Sequence, residues 1–412
     1  MHSGNQEEIV RLNGLRIVFF SLLAGNLYRF RLPVMRRLVS EGAQVYAVAP
    51  SGPDADRFKE HGIEFIHFDL DRRTFNPLAG LATIRRLADL LRTLEPHVLH
   101  TFTLRPNVYG AIAGRRIGVP LIICTITGLG TLYVQGIGPQ WFLARQWVNT
   151  LTYCFVRSSA AAIIFQNPDD REYYLHRRLC RPQQAKLILS SGIDTEQFSP
   201  EQVSGEVRGT LRKAWDIGTN EIVVTMIARF VRLKGVQEFV EVARRLQGRA
   251  RFVLIGGPDP GNPVSTSTEK VRQVIETGVI IAPGRQENIA EWLAASDIYV
   301  LPSYREGIPR TVLEAMAMGL PIITTDAPGC RETVVPGENG MLIPPRNSKA
   351  LVEALGQMLE NTAARRRMGK QSRLIATTKF DADKITSQYI LLYRELVKRA
   401  LPQRANAVYK DG

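Results

Sequence analysis

Short apolar runs alternate with amphipathic stretches along nearly the whole chain, the pattern of parallel strands wrapped by helices. In the first half this predicts strands at Leu15–Phe20, Gln44–Ala49, Glu64–Phe68, Val98–Thr101, Leu121–Thr125, Ala161–Phe165 and Lys186–Leu189, with helices in most gaps, including Leu78–Leu94 and Trp141–Ser158. The pattern lapses into polar, turn-rich sequence around Ser190–Arg208 and restarts with strands at Ile222–Ile227, Arg251–Ile255, Val279–Ile281, Ile298–Leu301 and Pro321–Thr324. Two successive doubly wound α/β domains follow, an N-terminal one over 1–195 and a C-terminal one over 206–380, facing a cleft, with a last helix in 381–412 expected to pack back toward the first. Ligands of such sheets bind beyond the carboxyl ends of the strands, so the residues just after each strand carry the functional argument.

The most informative junction is Ser303-Tyr304-Arg305-Glu306-Gly307-Ile308-Pro309-Arg310-Thr311-Val312-Leu313-Glu314, where the hydrophobic period changes from strand to helix. Glu306 falls on the loop and Glu314 on the helix. Gly307 and Pro309 let the backbone turn closely, and the N–H groups near Arg310 and Thr311 open the helix toward an anion, with two carboxylates available to hold hydroxyl groups around it. After the strand Ile222–Ile227 comes Ala228-Arg229-Phe230-Val231-Arg232-Leu233-Lys234-Gly235, two cations five positions apart on a strand-to-helix loop. An Arg fork and a Lys point charge suit different oxygens of one diphosphate, each contact worth up to about 4 kcal/mol at 4 Å before desolvation.

Composition narrows the partners. A chain of 412 residues with 45 % hydrophobic content supports two large cores. The formal charge is +14, and residues 1–190 hold 23 basic against 14 acidic residues, so the first half is the more basic. Arginine pairs such as Arg36-Arg37, Arg85-Arg86 and Arg115-Arg116 lack the interleaved aromatics or finger spacing of a nucleic-acid binder, which leaves an anionic substrate or an anionic membrane surface. Cys124, Cys154, Cys180 and Cys330 have no CxxC spacing and fit reduced cytosolic thiols, not disulfides or zinc ligands. The polar N-terminus and the lack of an apolar run of about 18 residues predict neither export nor membrane spanning.

These residues resemble the retaining GT-B glycosyltransferases of family four. The resemblance rests on Arg229 with Lys234, the Glu306-x7-Glu314 element, Ser190-Ser191-Gly192-Ile193-Asp194 with Phe198-Ser199-Pro200, Ile255-Gly256-Gly257 and Pro302-Ser303-Tyr304-Arg305-Glu306-Gly307, in that order and spacing over nearly the whole chain. It is strongest to bacterial N-acetylgalactosaminyltransferases that extend undecaprenyl-diphospho-bacillosamine. The resemblance implies a sugar, an N-acetylhexosamine or hexose, moved from a UDP-sugar to a lipid-linked or surface-glycan acceptor. Arg229 and Lys234 would bind the donor diphosphate and Glu306 the transferred sugar; Glu314 would hold the ribose, and Gly307, Ile308, Pro309, Arg310 and Thr311 would offer backbone groups. Arg285 would lie where main chain reads the base, and Gly25 would let its loop approach the donor phosphate. No DxD-like element occurs where a metal would be expected, so metal-independent transfer without a cofactor is the expectation.

On the acceptor side His100 falls at the end of the predicted strand Val98–Thr101, and Arg105 and Gly128 follow predicted strands. Relatives' functional His has no counterpart in Thr103-Leu104-Arg105, so Arg105 is set against the acceptor diphosphate instead. A polyprenyl-diphosphate-linked acceptor would give the basic first half a purpose, docking on anionic lipid at the inner face of the plasma membrane, with Leu132, Tyr133, Val134, Ile137, Trp141, Phe142 and Trp147 at the interface or in the core. The competing readings are a GT-B sugar-nucleotide epimerase, and a catalytically inactive nucleotide-sugar or glycan-binding partner.

Overall fold

The computed structural model describes residues 12–70, 77–129, 153–258, 273 and 275–402. The chain divides into two units: Met1–Thr127, Pro139–Ser191 and Asp383–Gly412 form the first, and Gly128–Gly138 with Gly192–Ala382 the second.

The first unit is built on a seven-stranded parallel sheet, ordered β3-β2-β1-β4-β5-β6-β7. Its strands are β1 (Arg16–Phe20), β2 (Gln44–Ala49), β3 (Ile63–His67), β4 (Val98–Phe102), β5 (Leu121–Ile126), β6 (Ala162–Phe165) and β7 (Ala185–Leu187). Successive side chains of a strand point to opposite faces, so a sheet covered on both sides needs unbroken apolar runs. β1 shows this: Ile17 and Phe19 enter one core with Ala47, Ile123 and Ile164, while Val18 and Phe20 enter the other with Val48, Leu87, Leu91 and Leu99. The helix Ala382–Ala400 belongs to this unit despite its place at the end of the chain. It lays Ile385, Tyr389, Leu392, Tyr393 and Leu396 into the first core at helical spacing.

The second unit carries a six-stranded parallel sheet, ordered β10-β9-β8-β11-β12-β13. The strands are β8 (Val223–Arg229), β9 (Arg251–Gly257), β10 (Ile280–Gly284), β11 (Ile298–Leu301), β12 (Ile322–Thr325) and β13 (Gly340–Ile343). In both sheets the strand order reverses beside the first strand of the unit, which places a crevice at the carboxyl ends of β1 and β4 and another at those of β8 and β11.

Twelve of the strands lie where the apolar runs predict them. β10 runs on to Gly284 through a register shift after Ile281. β13 is absent from the sequence reading because it is a four-residue edge strand, half-exposed at Met341 and Leu342 and entered through the polar turn Glu338–Asn339. The predicted helix Trp141–Ser158 and the interfacial positions Leu132 to Trp147 lie outside the described residues up to 152; residues 153–159 are helical. Among the described residues, no helix is long and apolar enough to cross a membrane. All four cysteines are free thiols, and only Cys154 is exposed.

Candidate active site

β8 ends on Arg229, whose side chain is exposed while its backbone stays in register with Gly257 of β9. The chain then makes a single 3-10 turn, Arg232–Lys234, and enters the helix Val236–Arg245 through Gly235. Gly235 has φ +73, and a Cβ there would collide with the Pro302 carbonyl. Only glycine allows this turn to press against the end of β11. The Tyr304 N–H closes the contact by donating to the Leu233 carbonyl at 2.8 Å, and the buried Ser303 Oγ lies 3.0 Å from the same carbonyl.

This seam brings Lys234 to Glu306. The Lys234 ammonium donates to Glu306 Oε1 at 2.6 Å, with side chains 23 % and 12 % exposed, so the pair is half-shielded from water. Ser303 Oγ lies 2.6 Å from the same oxygen. The loop itself is fixed by Glu306 N–H donating to the Pro328 carbonyl at 2.9 Å, and Gly329, at φ +83, leaves no room for a Cβ beside the Glu306 carbonyl. Cys330, buried behind this loop, has its thiol pushed up to about 12, chiefly by burial and next by the Glu306 charge.

The helix Arg310–Ala317 starts immediately after Pro309, which caps it without a side-chain hydrogen bond. Glu314 is buried on this helix and accepts from Arg310 Nε at 3.0 Å, one helical turn away. The two carboxylates singled out in the sequence therefore sit in separate settings, each with its own cation. Thr311 meets the hydroxyl of buried Tyr299, whose pKa is raised first by burial. Gly307 and Pro309 are buried and Ile308 half-buried. Arg285 follows β10, exposed, and donates to the Pro258 carbonyl at 3.4 Å. A lysine ammonium has three N–H donors, so Lys234 can keep Glu306 and still meet phosphate oxygens. A cation beside a carboxylate able to accept from hydroxyl groups, at the switch point of a doubly wound sheet, suits a sugar joined to a diphosphate.

Two family profiles match the chain: "Glycosyl transferases group 1" over residues 207–374 and "Glycosyl transferase 4-like domain" over 29–188. The N,N'-diacetylbacillosaminyl-diphospho-undecaprenol alpha-1,3-N-acetylgalactosaminyltransferase of Campylobacter jejuni is 31 % identical over 93 % of this chain and 100 % of its own length. The chain belongs to the family-four glycosyltransferases. A further relative, the UDP-Gal:alpha-D-GlcNAc-diphosphoundecaprenol alpha-1,3-galactosyltransferase of Escherichia coli, is 24 % identical over 70 % of this transferase and 73 % of its own chain. In fold, this transferase matches Anabaena HepE, solved with UDP-glucose, at TM-score 0.76 over 92 % of the chain and 99 % of that structure, with 20 % identity. The fold is GT-B, two parallel-sheet α/β units.

The transferase's first unit corrects several expectations. His100 is fully buried in the middle of β4, with Nδ1 2.7 Å from the Tyr393 hydroxyl and Nε2 2.7 Å from Thr125 Oγ1. Burial, and next the Arg31 charge, holds its pKa well below the ordinary range, and both ring nitrogens are occupied; it is a framework residue and presents nothing to an acceptor. Gly25 lies in the first turn of the helix Ala24–Ser40 and not on a loop, and a Cβ there would lie 3.0 Å from the Asp54 carboxylate. Gly128 groups with the second unit, and its φ of +112 and tight fit against the Gly307 backbone account for the glycine without an acceptor. Arg105 is half-buried in the first turn of the helix Leu104–Ile117. Before that helix stands Thr103 with φ +72, a conformation rare for a β-branched residue, at the carboxyl end of β4. Neither Thr103 nor Ser303 stood out in the sequence; the one available signal was their place directly after a strand.

Proposed function

We propose that this transferase moves an N-acetylhexosamine or hexose from a UDP-sugar to a polyprenyl-diphosphate-linked sugar, with retention of configuration at the anomeric carbon. The observation that carries the reading is the Lys234–Glu306 pair, held at 2.6 Å where β8 and β11 part. The activities of the Campylobacter and Escherichia coli relatives support the lipid-linked acceptor, and the latter supports UDP.

In this reading Arg229 and Lys234 take the diphosphate, Glu306 the hydroxyls of the transferred sugar, and Glu314 the ribose hydroxyls. Gly307 to Thr311 line the donor with backbone groups, and the main chain at Arg285 reads the base. Arg105 meets the acceptor diphosphate. The acceptor hydroxyl attacks the anomeric carbon on the face that UDP leaves. The bond from that carbon to the UDP oxygen breaks as the new glycosidic bond forms, and the hydroxyl proton passes to a phosphate oxygen of the departing UDP. Through a loose, oxocarbenium-like transition state, charge accumulates on the leaving group, and preorganised cations stabilise it there. This differs from glycosidase chemistry, in which two carboxylates flank the scissile bond. Because the chain supplies its own cations to the diphosphate, transfer is proposed to need no metal. The basic first half is proposed to rest on anionic lipid, placing the enzyme peripherally on the cytoplasmic face of the plasma membrane.

The test is a transfer assay with UDP-N-acetylhexosamines and UDP-hexoses on an undecaprenyl-diphospho-sugar in anionic vesicles, with the product anomer assigned by NMR. Expected are a retained anomer, full activity in excess chelator, co-flotation of enzyme and vesicles that weakens with salt, and loss of transfer in Glu306→Ala. An inverted product would sink the mechanism, and the absence of turnover with every UDP-sugar would sink the donor assignment.

A further inference from the structure

Glu306 does not stand alone at the end of β11. Ser303 is fully buried three residues earlier, with its Oγ 2.6 Å from Glu306 Oε1 and 3.0 Å from the Leu233 carbonyl. A serine hydroxyl has one proton to give. The Leu233 carbonyl already accepts from the Tyr304 N–H at 2.8 Å, whereas Oε1 belongs to a carboxylate and lies closer. Charge-assisted bonds are the stronger ones, so the proton is directed to Glu306. Ser303 is itself fixed from behind, because its carbonyl accepts from the Thr325 hydroxyl on β12 and lies 3.9 Å from Cys330 Sγ. Two donors, the Ser303 hydroxyl and the Lys234 ammonium, thus converge on one carboxylate oxygen.

We propose that Ser303 is a positioning residue: with Lys234 it pins Glu306 Oε1 and thereby sets the carboxylate plane that recognises the transferred sugar. The claim rests on the donor reading above. It separates two parts of donor affinity, since UDP alone carries the diphosphate and ribose but no sugar for Glu306 to hold. Removing the Ser303 hydroxyl therefore weakens UDP-sugar and spares UDP.

Calorimetry on the full chain with UDP and with a UDP-sugar tests this. For Ser303→Ala, UDP-sugar affinity is expected to fall about tenfold, the worth of one hydrogen bond to a charged group, while UDP affinity stays within about twofold. Ser303→Cys, which keeps the size and supplies a weak donor, should lie between serine and alanine. If Ser303 acts through Glu306, adding Ser303→Ala to Glu306→Gln costs less than about twofold more, as expected for coupled residues. Equal losses for UDP and UDP-sugar, or losses that multiply in the double variant, would show a merely structural serine and overturn the proposal. A wild-type chain that binds UDP but no UDP-sugar would remove the donor reading and this proposal together; one that binds both, with Ser303→Ala unchanged, would remove the positioning role alone.

Discussion

The two sheets reverse their strand order in the same way, yet the chain finishes the two crevices with opposite chemistry. In β4 of the first unit, two residues short of the strand end, His100 is sealed by Tyr393 and Thr125, with Phe19, Phe102 and Tyr389 against its ring. Beyond β8 and β11 in the second unit, Arg229, Lys234 and Glu306 lie in positions that water reaches, and Lys234 with Glu306 forms a half-shielded pair. A shared topology fixes where a site can be, and the side chains decide whether the place becomes a site or a seal. A polar group that has both partners inside the protein adds rigidity. One that retains donors toward solvent can exchange them for a ligand.

The comparison breaks most sharply at Lys234. Lys234→Ala removes a cation proposed to act on the leaving diphosphate and also breaks the Lys234–Glu306 pair. Loss of one preorganised stabiliser of transition-state charge typically costs about 10²–10³ in kcat, and a fall of that size is expected in single-turnover transfer. A control in the first unit is Lys186→Ala, which breaks a half-exposed surface pair with Glu395 at 3.1 Å. Exposed pairs are worth about 0–1 kcal/mol, so transfer should stay near wild type. Similar losses in both variants would erase the distinction between the units.

The reverse prediction concerns His100. His100→Ala leaves the Tyr393 and Thr125 hydroxyls buried with a missing partner, and each such unsatisfied group costs about 1–3 kcal/mol. Denaturant unfolding should therefore show a clear loss of stability, while transfer by the folded enzyme at low temperature changes little. A large fall in kcat with unchanged stability would return His100 to the active site.

How far each of these features could be read from the sequence follows from its range. The strands were legible because burial on both faces requires continuous apolar runs, as in Ile17-Val18-Phe19-Phe20. The Glu306–Glu314 junction was legible because a change of period marks the carboxyl end of a strand. The pairing of Lys234 with Glu306 spans 72 residues and the seal of His100 by Tyr393 spans 293, so neither leaves a local trace. Arg310 with Glu314 was within reach, since a separation of four on a helix brings side chains together. For His100 the reason is physical: β4 runs two residues beyond it to Phe102, and a polar residue near a strand end looks the same in sequence whether a distant helix covers it or not.

The finest test of the seal is its pH dependence. Burial holds the His100 imidazole neutral, with a pKa well below its ordinary value near 6.5, whereas in the unfolded chain it titrates at about that value. Below about pH 6.5 the unfolded state therefore binds more protons at this site than the folded state, and stability must fall as the pH falls. The contribution is complete above that pH and is lost progressively toward the depressed folded-state pKa, with a slope of at most about 1.4 kcal/mol per pH unit for one proton. His100→Gln cannot titrate, so the difference in unfolding free energy between wild type and variant should narrow from pH 8 to pH 5. The other histidines are common to both proteins and cancel in that difference. A gap that stayed constant across the range would mean that His100 keeps its ordinary protonation in the folded chain, and the seal would lose its electrostatic basis.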